Sequence, residues 1–232
     1  MNLIHRIAAA LPTLAALTLL PLSLHAAPVD DAVARVQHDW ETIRYDLPAA
    51  QREQRFEALA KVAHEVSAQF AGRSEPLVWE GIVLSSWAGE KGGLGALGLV
   101  KQAKALYERA IELDGQALHG SAYASLGVLY AKVPGWPLGF GDGGKAEALF
   151  KQALAVNPQG IDPHFFYAEY LADQNRTAEA LSHLEQALKA PPRAGREKAD
   201  AGRRDGGHQG LDVAQEAGSG AGGDRCAPAG LS

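Results

Sequence analysis

The chain has 232 residues, a formal net charge of −5, 47% hydrophobic residues and one cysteine, Cys226. Mild acidity without a basic stripe argues against a nucleic-acid partner. A lone cysteine excludes an internal disulfide framework, so packing alone must hold the core.

Residues 1–27 read as a secretory signal peptide. Arg6 is its only charge, Ile7 to Leu20 is mostly apolar, and Ala26 and Ala27 are small residues suited to cleavage. The run is short for a membrane span and contains Pro12. These features predict an exported chain with no stable membrane span after cleavage. Residues 28–201 are expected to form one helical domain. Asp30 or Asp31 can cap a first helix through Val36, Trp40 and Ile43, which Pro48 interrupts. From Gln51 to Phe70, the residues Phe56, Leu59, Ala60, Ala63, Val66, Ser67 and Phe70 make an apolar stripe at helical spacing. Ser74-Glu75-Pro76 opens another helix, with proline in its first turn.

A register begins there. Gly81 and Leu84 are followed by Ala103, Tyr107 and Ala110. Tyr123, Leu126, Gly127 and Tyr130 are followed by Ala146, Phe150, Ala153 and Pro158. Tyr167, Ala168 and Leu171 are followed by Ala180, Leu184, Ala187 and Pro192. The last two sets of helix B markers lie 34 residues apart (180 − 146). This period and its small–bulky alternation resemble the tetratricopeptide repeat (TPR) superfamily. The expected fold is all-α, a solenoid of helical hairpins whose small residues let paired helices approach closely.

Two units depart from the register. The third sets its helix A and helix B markers nine positions apart (180 − 171), the second sixteen (146 − 130) and the first nineteen (103 − 84). Both excesses fall at the turn from helix A to helix B, and equivalent turns of a solenoid share one edge. One reads Trp87 to Gly95, the other Pro134 to Asp142. Their aromatic side chains on glycine and proline backbones can contact a partner, or tuck down and plug the helix pairs.

No catalytic constellation is apparent. Gly139, Gly144 and Lys145 have Walker A spacing, but Ala146 replaces the hydroxyl residue and no strand precedes the loop. The histidines do not cluster in the sequence. His164 reads as a helix-start residue and His183 as a solvated one. Neither a metal site nor a cofactor is expected. Residues 202–232 hold nine glycines. They are expected to be disordered, since they cannot bury enough surface to offset their ordering entropy. The abrupt shift after Arg204 suits either a displaced reading frame or a functional flexible tail.

The strings Pro76-Leu77-Val78-Trp79-Glu80-Gly81-Ile82, Gly92 to Ala103, and Val133 to Asp142 resemble the T-component family of tripartite ATP-independent periplasmic (TRAP) transporters. That resemblance implies a periplasmic, non-enzymatic repeat protein. It would pair with a substrate-binding protein and help deliver an organic, apolar ligand. No cysteine follows the leader to carry a lipid, and the glycine-rich end replaces a capping helix. An uncapped apolar face would favour a homo-oligomer, or leave the chain unstable if the tail is a frame artefact.

Helix A lines the concave face of such a solenoid. The register puts Val78, Ile82 and Ser85, Ala124, Val128 and Ala131, and Phe165, Glu169 and Ala172 there. No lysine, arginine or asparagine appears among them, so an apolar ligand or apolar partner segment is expected rather than a carboxylate clamp. The candidate binding residues are Trp79, Ile82, Trp87, Val128, Trp136, Phe140, Phe165 and Glu169. The alternative is a cell-envelope assembly scaffold with no small ligand.

Overall fold

The computed structural model describes residues 27–220, and the side chains of residues 29–213. The expected signal peptide lies outside the described residues except for Ala27, as do residues 221–232 with Cys226. The described elements are all helical. They are α1 Ala27–Glu41, which runs into a π-helical turn Thr42–Asp46, α2 Ala49–Gln69, α3 Ser74–Lys91, α4 Ala96–Asp114, α5 Ala117–Lys132, α6 Gly143–Val156, α7 Ile161–Asp173, α8 Thr177–Lys189 and α9 Glu197–Gly220. Helices α3–α4, α5–α6 and α7–α8 pack as hairpins, with α1 and α2 before them and α9 after. The architecture is a tetratricopeptide-like helical solenoid.

Each hairpin closes where a small helix A residue meets a bulky helix B residue. A Cβ on Gly81 would lie 2.5 Å from the buried Tyr107 ring, and one on Gly127 would lie 2.9 Å from Phe150. In the third hairpin the helix A residue is Ala168, which does carry a Cβ. Its counterpart is Leu184 rather than an aromatic, and both sit in one core cluster. Lost volume on one helix matches gained volume on the other. The Ser74 hydroxyl fixes the first hairpin's far end, donating to the carbonyls of Ala110 and Asp114 at the end of α4. Asp142 caps α6 by accepting from the Lys145 backbone N–H at 3.0 Å, satisfying one orphan donor of the first turn.

The enlarged turns are resolved differently. In the first unit α3 continues to Lys91 and α4 begins at Ala96, so most of the excess is additional helix. Trp87 therefore sits on α3, half-buried against the core, rather than on a loop. In the second unit residues 133–142 are a true loop. Gly141 donates to the Pro134 carbonyl at 2.9 Å and Asp142 to the Tyr130 carbonyl at 2.9 Å. A Cβ on Gly141 would fall 1.9 Å from the Val133 carbonyl oxygen, so only glycine fits there.

The expectation of disorder from residue 202 needs correction, because α9 runs unbroken through that position. Its glycines at 202, 206, 207 and 210 lie on its packed face. A Cβ would come within 2.8 Å of Tyr45 at Gly202, 3.0 Å of Phe165 at Gly206, 3.2 Å of Leu188 at Gly207 and 2.8 Å of Leu184 at Gly210. Spacings of four, one and three residues keep these positions together on a helix. The glycines let α9 lie close against α7 and α8, where it caps the last hairpin.

The histidines also differ from expectation. His183 is half-buried, and its Nδ1 lies 2.8 Å from Nδ1 of the buried His164. His164 Nε2 donates to the Pro158 carbonyl at 3.0 Å. A carbonyl can only accept, so that nitrogen carries its proton, and the two facing Nδ1 atoms can share only one. Burial, then the neighbouring His164, pushes the His183 pKa below its ordinary value of 6.5.

Two measurements check these contacts. Gly81→Ala lowers stability in urea unfolding by about 1–3 kcal/mol from overpacking, and in a Tyr107→Leu background that penalty falls below about 0.5 kcal/mol. A depressed histidine pKa means that unfolding takes up protons, so the stability it contributes is intact above pH 6.5 and is lost as pH falls below it. His183→Asn retains a donor without titrating. Its thermal midpoint should therefore fall less than that of the wild type between pH 7 and pH 5.

Candidate functional site

Three helix A elements, α3, α5 and α7, turn part of their surface to a common hollow. Residues from the α1 end and from the start of α9 close it, leaving a cavity of about 960 Å³. That is near the upper end for small-molecule sites. Trp79 and Ile82 come from α3, Val128 from α5, and Phe165, Phe166 and Glu169 from α7. The α1 side adds Trp40 and Tyr45, whose rings meet edge to face with centroids 5.9 Å apart. Trp40 and Trp79 meet at 6.1 Å, and the Trp40 indole N–H donates to the Ser86 hydroxyl at 2.7 Å.

Of the expected binding residues, Trp79, Ile82, Val128, Phe165 and Glu169 line this cavity. Trp87, Trp136 and Phe140 do not. Phe140 folds onto Tyr130, centroids 5.5 Å apart, with the Lys104 ammonium 5.9 Å from its ring. Trp136 points away and is 90% exposed. Among the other positions assigned to the concave face, Ser85 and Ala124 line the hollow, whereas Val78 is buried with Ala110 and Ala122. The rim at the start of α5 is strained. Leu118 and His119 have φ of 49° and 56°, a left-handed conformation costly for residues with a Cβ.

The charged wall was not anticipated from the sequence. Arg193, Arg196 and Arg203 all line the cavity, from the α8–α9 connection and from α9. They stood outside the repeat register, in a stretch read as the end of the domain. The available signal was spacing: Arg196 and Arg203 are seven residues apart, two helical turns on one face. Asp162 anchors this wall, accepting from Arg193 Nη1 at 2.6 Å and Arg203 Nε at 3.0 Å. Burial alone would raise its pKa, but the charges of Arg203 and Arg193 prevail and hold it at about 2. Arg193 also bonds Asp200 through Nε and Nη2. The Arg203 guanidinium stacks on Phe166 at 4.3 Å and Phe165 at 5.1 Å.

Two groups stand apart. Glu169 makes no hydrogen bond or ion pair among the described residues. The protein atoms packed around it raise its pKa, which Arg203 and Lys132 partly offset, although the residue remains exposed to solvent. Arg196 packs 5.1 Å over the Trp79 ring. Its Nε is 3.1 Å from Glu41 Oε1, yet the N–H is not directed at it, and both atoms are buried without a hydrogen bond. The same segment ties the two ends of the solenoid together. Gln37 donates to the Gly195 carbonyl at 2.9 Å, and Lys198 pairs with Asp46.

A family model described as TRAP transporter T-component matches residues 43–199. Among solved structures, the chain is similar to a thermophilic TPR protein from Thermus thermophilus, at 17% identity over 79% of this chain and 98% of that one, with a TM-score of 0.39. No curated protein matches.

Asp162→Asn removes the anchor and leaves Arg193 and Arg203 underpaired, so stability should fall by about 3–5 kcal/mol in denaturant unfolding. The wild-type contribution is present above the ordinary carboxylate value of 3.8 and disappears as pH falls through about 2. The gap between wild type and variant should therefore narrow at acid pH.

Proposed function

The chain belongs to the TRAP transporter T-component family, and from that premise we propose that it is an exported, periplasmic binding module of a TRAP transport system. Family membership points to a non-catalytic role. The cavity is the observation that carries the reading. A hollow of about 960 Å³, walled by Trp79, Ile82, Val128 and Phe165 from all three hairpins, suits an organic ligand with a substantial apolar body. No described helix is long and apolar enough to cross a membrane.

The partner surface is a separate feature. Leu94, Trp136 and Leu138 are 82%, 90% and 67% exposed on the two A–B turns. Exposed apolar side chains on held turns are suited to protein recognition. We assign this edge to a periplasmic substrate-binding protein. Phe140 and Tyr130 support the loop from below, so Trp136 is presented rather than packed.

Native mass spectrometry of the chain purified from its host tests the carrier reading. A co-purifying small molecule is expected, and Val128→Arg should abolish it while the far-ultraviolet circular dichroism is unchanged. Protein partners alone, with no small molecule, would favour an envelope scaffold. For the edge, Trp136→Ala should weaken binding to the substrate-binding protein by roughly tenfold or more, as expected of an anchor residue. Unchanged partner affinity in Trp136→Ala with Leu138→Ala would overturn the assignment.

A further inference from the structure

An arginine side chain carries five N–H donors. Arg193 spends its own on Asp162 and Asp200, Arg203 directs Nε to Asp162, and Arg44 reaches Glu90 at 3.4 Å. Arg196 is the exception. Its side chain is 18% exposed, the lowest of these four, yet among the described residues it makes no hydrogen bond. Glu41 supplies charge nearby but not a well-directed acceptor. The Arg196 Nε is closed to solvent, and leaving that donor unmet is costly, while Nη1 and Nη2 have no hydrogen-bond partner among the described residues and stay open to the cavity. The Trp79 face beneath it compensates only in part.

We infer that the cavity binds an organic anion whose carboxylate is taken by Arg196 and whose apolar body lies along Trp79, Ile82, Val128 and Phe165. This rests on the reading of the cavity as a ligand site. A planar guanidinium offers two parallel N–H groups that match the two oxygens of a carboxylate. A neutral apolar ligand would leave those donors unmet and bury them further. Glu169, an unpaired carboxylate on the α7 wall, repels an anion there and orients the charged end toward Trp79 and Arg196. The arrangement thus has an acceptor-hungry end, an apolar middle and an acidic wall that disfavours the reversed pose.

The test compares 1-naphthylacetate with its neutral amide, 1-naphthylacetamide, titrated into the full chain by calorimetry. The anion should bind about tenfold more tightly or better, the usual gain from hydrogen bonds to charged groups. Arg196→Gln should collapse the anion-to-amide ratio toward one. Glu41→Gln removes the competing carboxylate and should tighten anion binding. This second variant keeps the test decisive if Arg196→Gln fails to fold. Equal affinities for the two probes in the wild type, or an anion affinity unmoved or weakened by Glu41→Gln, would overturn the anion assignment and leave the apolar-cavity reading standing. Binding of neither probe, with no small molecule co-purifying from the host, would overturn both.

Discussion

Everything in this molecule depends on how closely helix A can approach helix B. Where Gly81 faces Tyr107 and Gly127 faces Phe150, the missing side chain on one helix is the space occupied by a ring on the other. Close approach fixes each hairpin as a wedge, and stacked wedges curve. Curvature turns one face of α3, α5 and α7 inward. The cavity is therefore a by-product of packing, lined by residues such as Ile82 and Val128 that the hairpins do not bury. In the third hairpin Ala168 and Leu184 share one core cluster, with a small residue that is not glycine on helix A and a bulky residue that is not aromatic on helix B.

A second layer of organisation is polar and comes from outside the repeats. The α8–α9 connection and α9 bring three arginines against the concave face, where Asp162 gathers two of them. This cluster converts an apolar hollow into one with a chemical direction. Arg193 is satisfied by carboxylates on both sides, whereas the half-buried Arg196 lies over an indole with no side-chain hydrogen bond among the described residues. The difference between neighbouring arginines gives the site its asymmetry.

The repeat core was legible in the sequence because its rule is local. Small and bulky positions recur at fixed spacing, and Gly81, Tyr107, Gly127, Phe150, Ala168 and Leu184 could be assigned without coordinates. The inward-facing residues Ile82, Val128, Phe165 and Glu169 followed from the same register. What depended on the ends of the chain was not legible. Glycines at 202, 206, 207 and 210 have a disordered composition, but each lies where a neighbouring side chain presses against the helix. Composition counts residues without regard to face, so it could not separate a flexible segment from a closely packed one. The arginines were missed for a related reason, since a register describes only its own units. The excess of residues around Trp87 is lengthened helix rather than turn, and spacing alone does not distinguish the two.

The junction between the two ends has a mechanical consequence. An open stack of hairpins is a spring, free to fray from either terminus because each unit touches only its neighbours. Here Gln37 bonds Gly195, Asp46 pairs with Lys198, and Gly202 admits the Tyr45 ring, linking segments more than 150 residues apart. That contact makes the spring a hoop. A hoop has no loose end from which to unwind. Opening it at this one seam gives up contacts of the first and last helices together, at the wall where the cavity carries its charge.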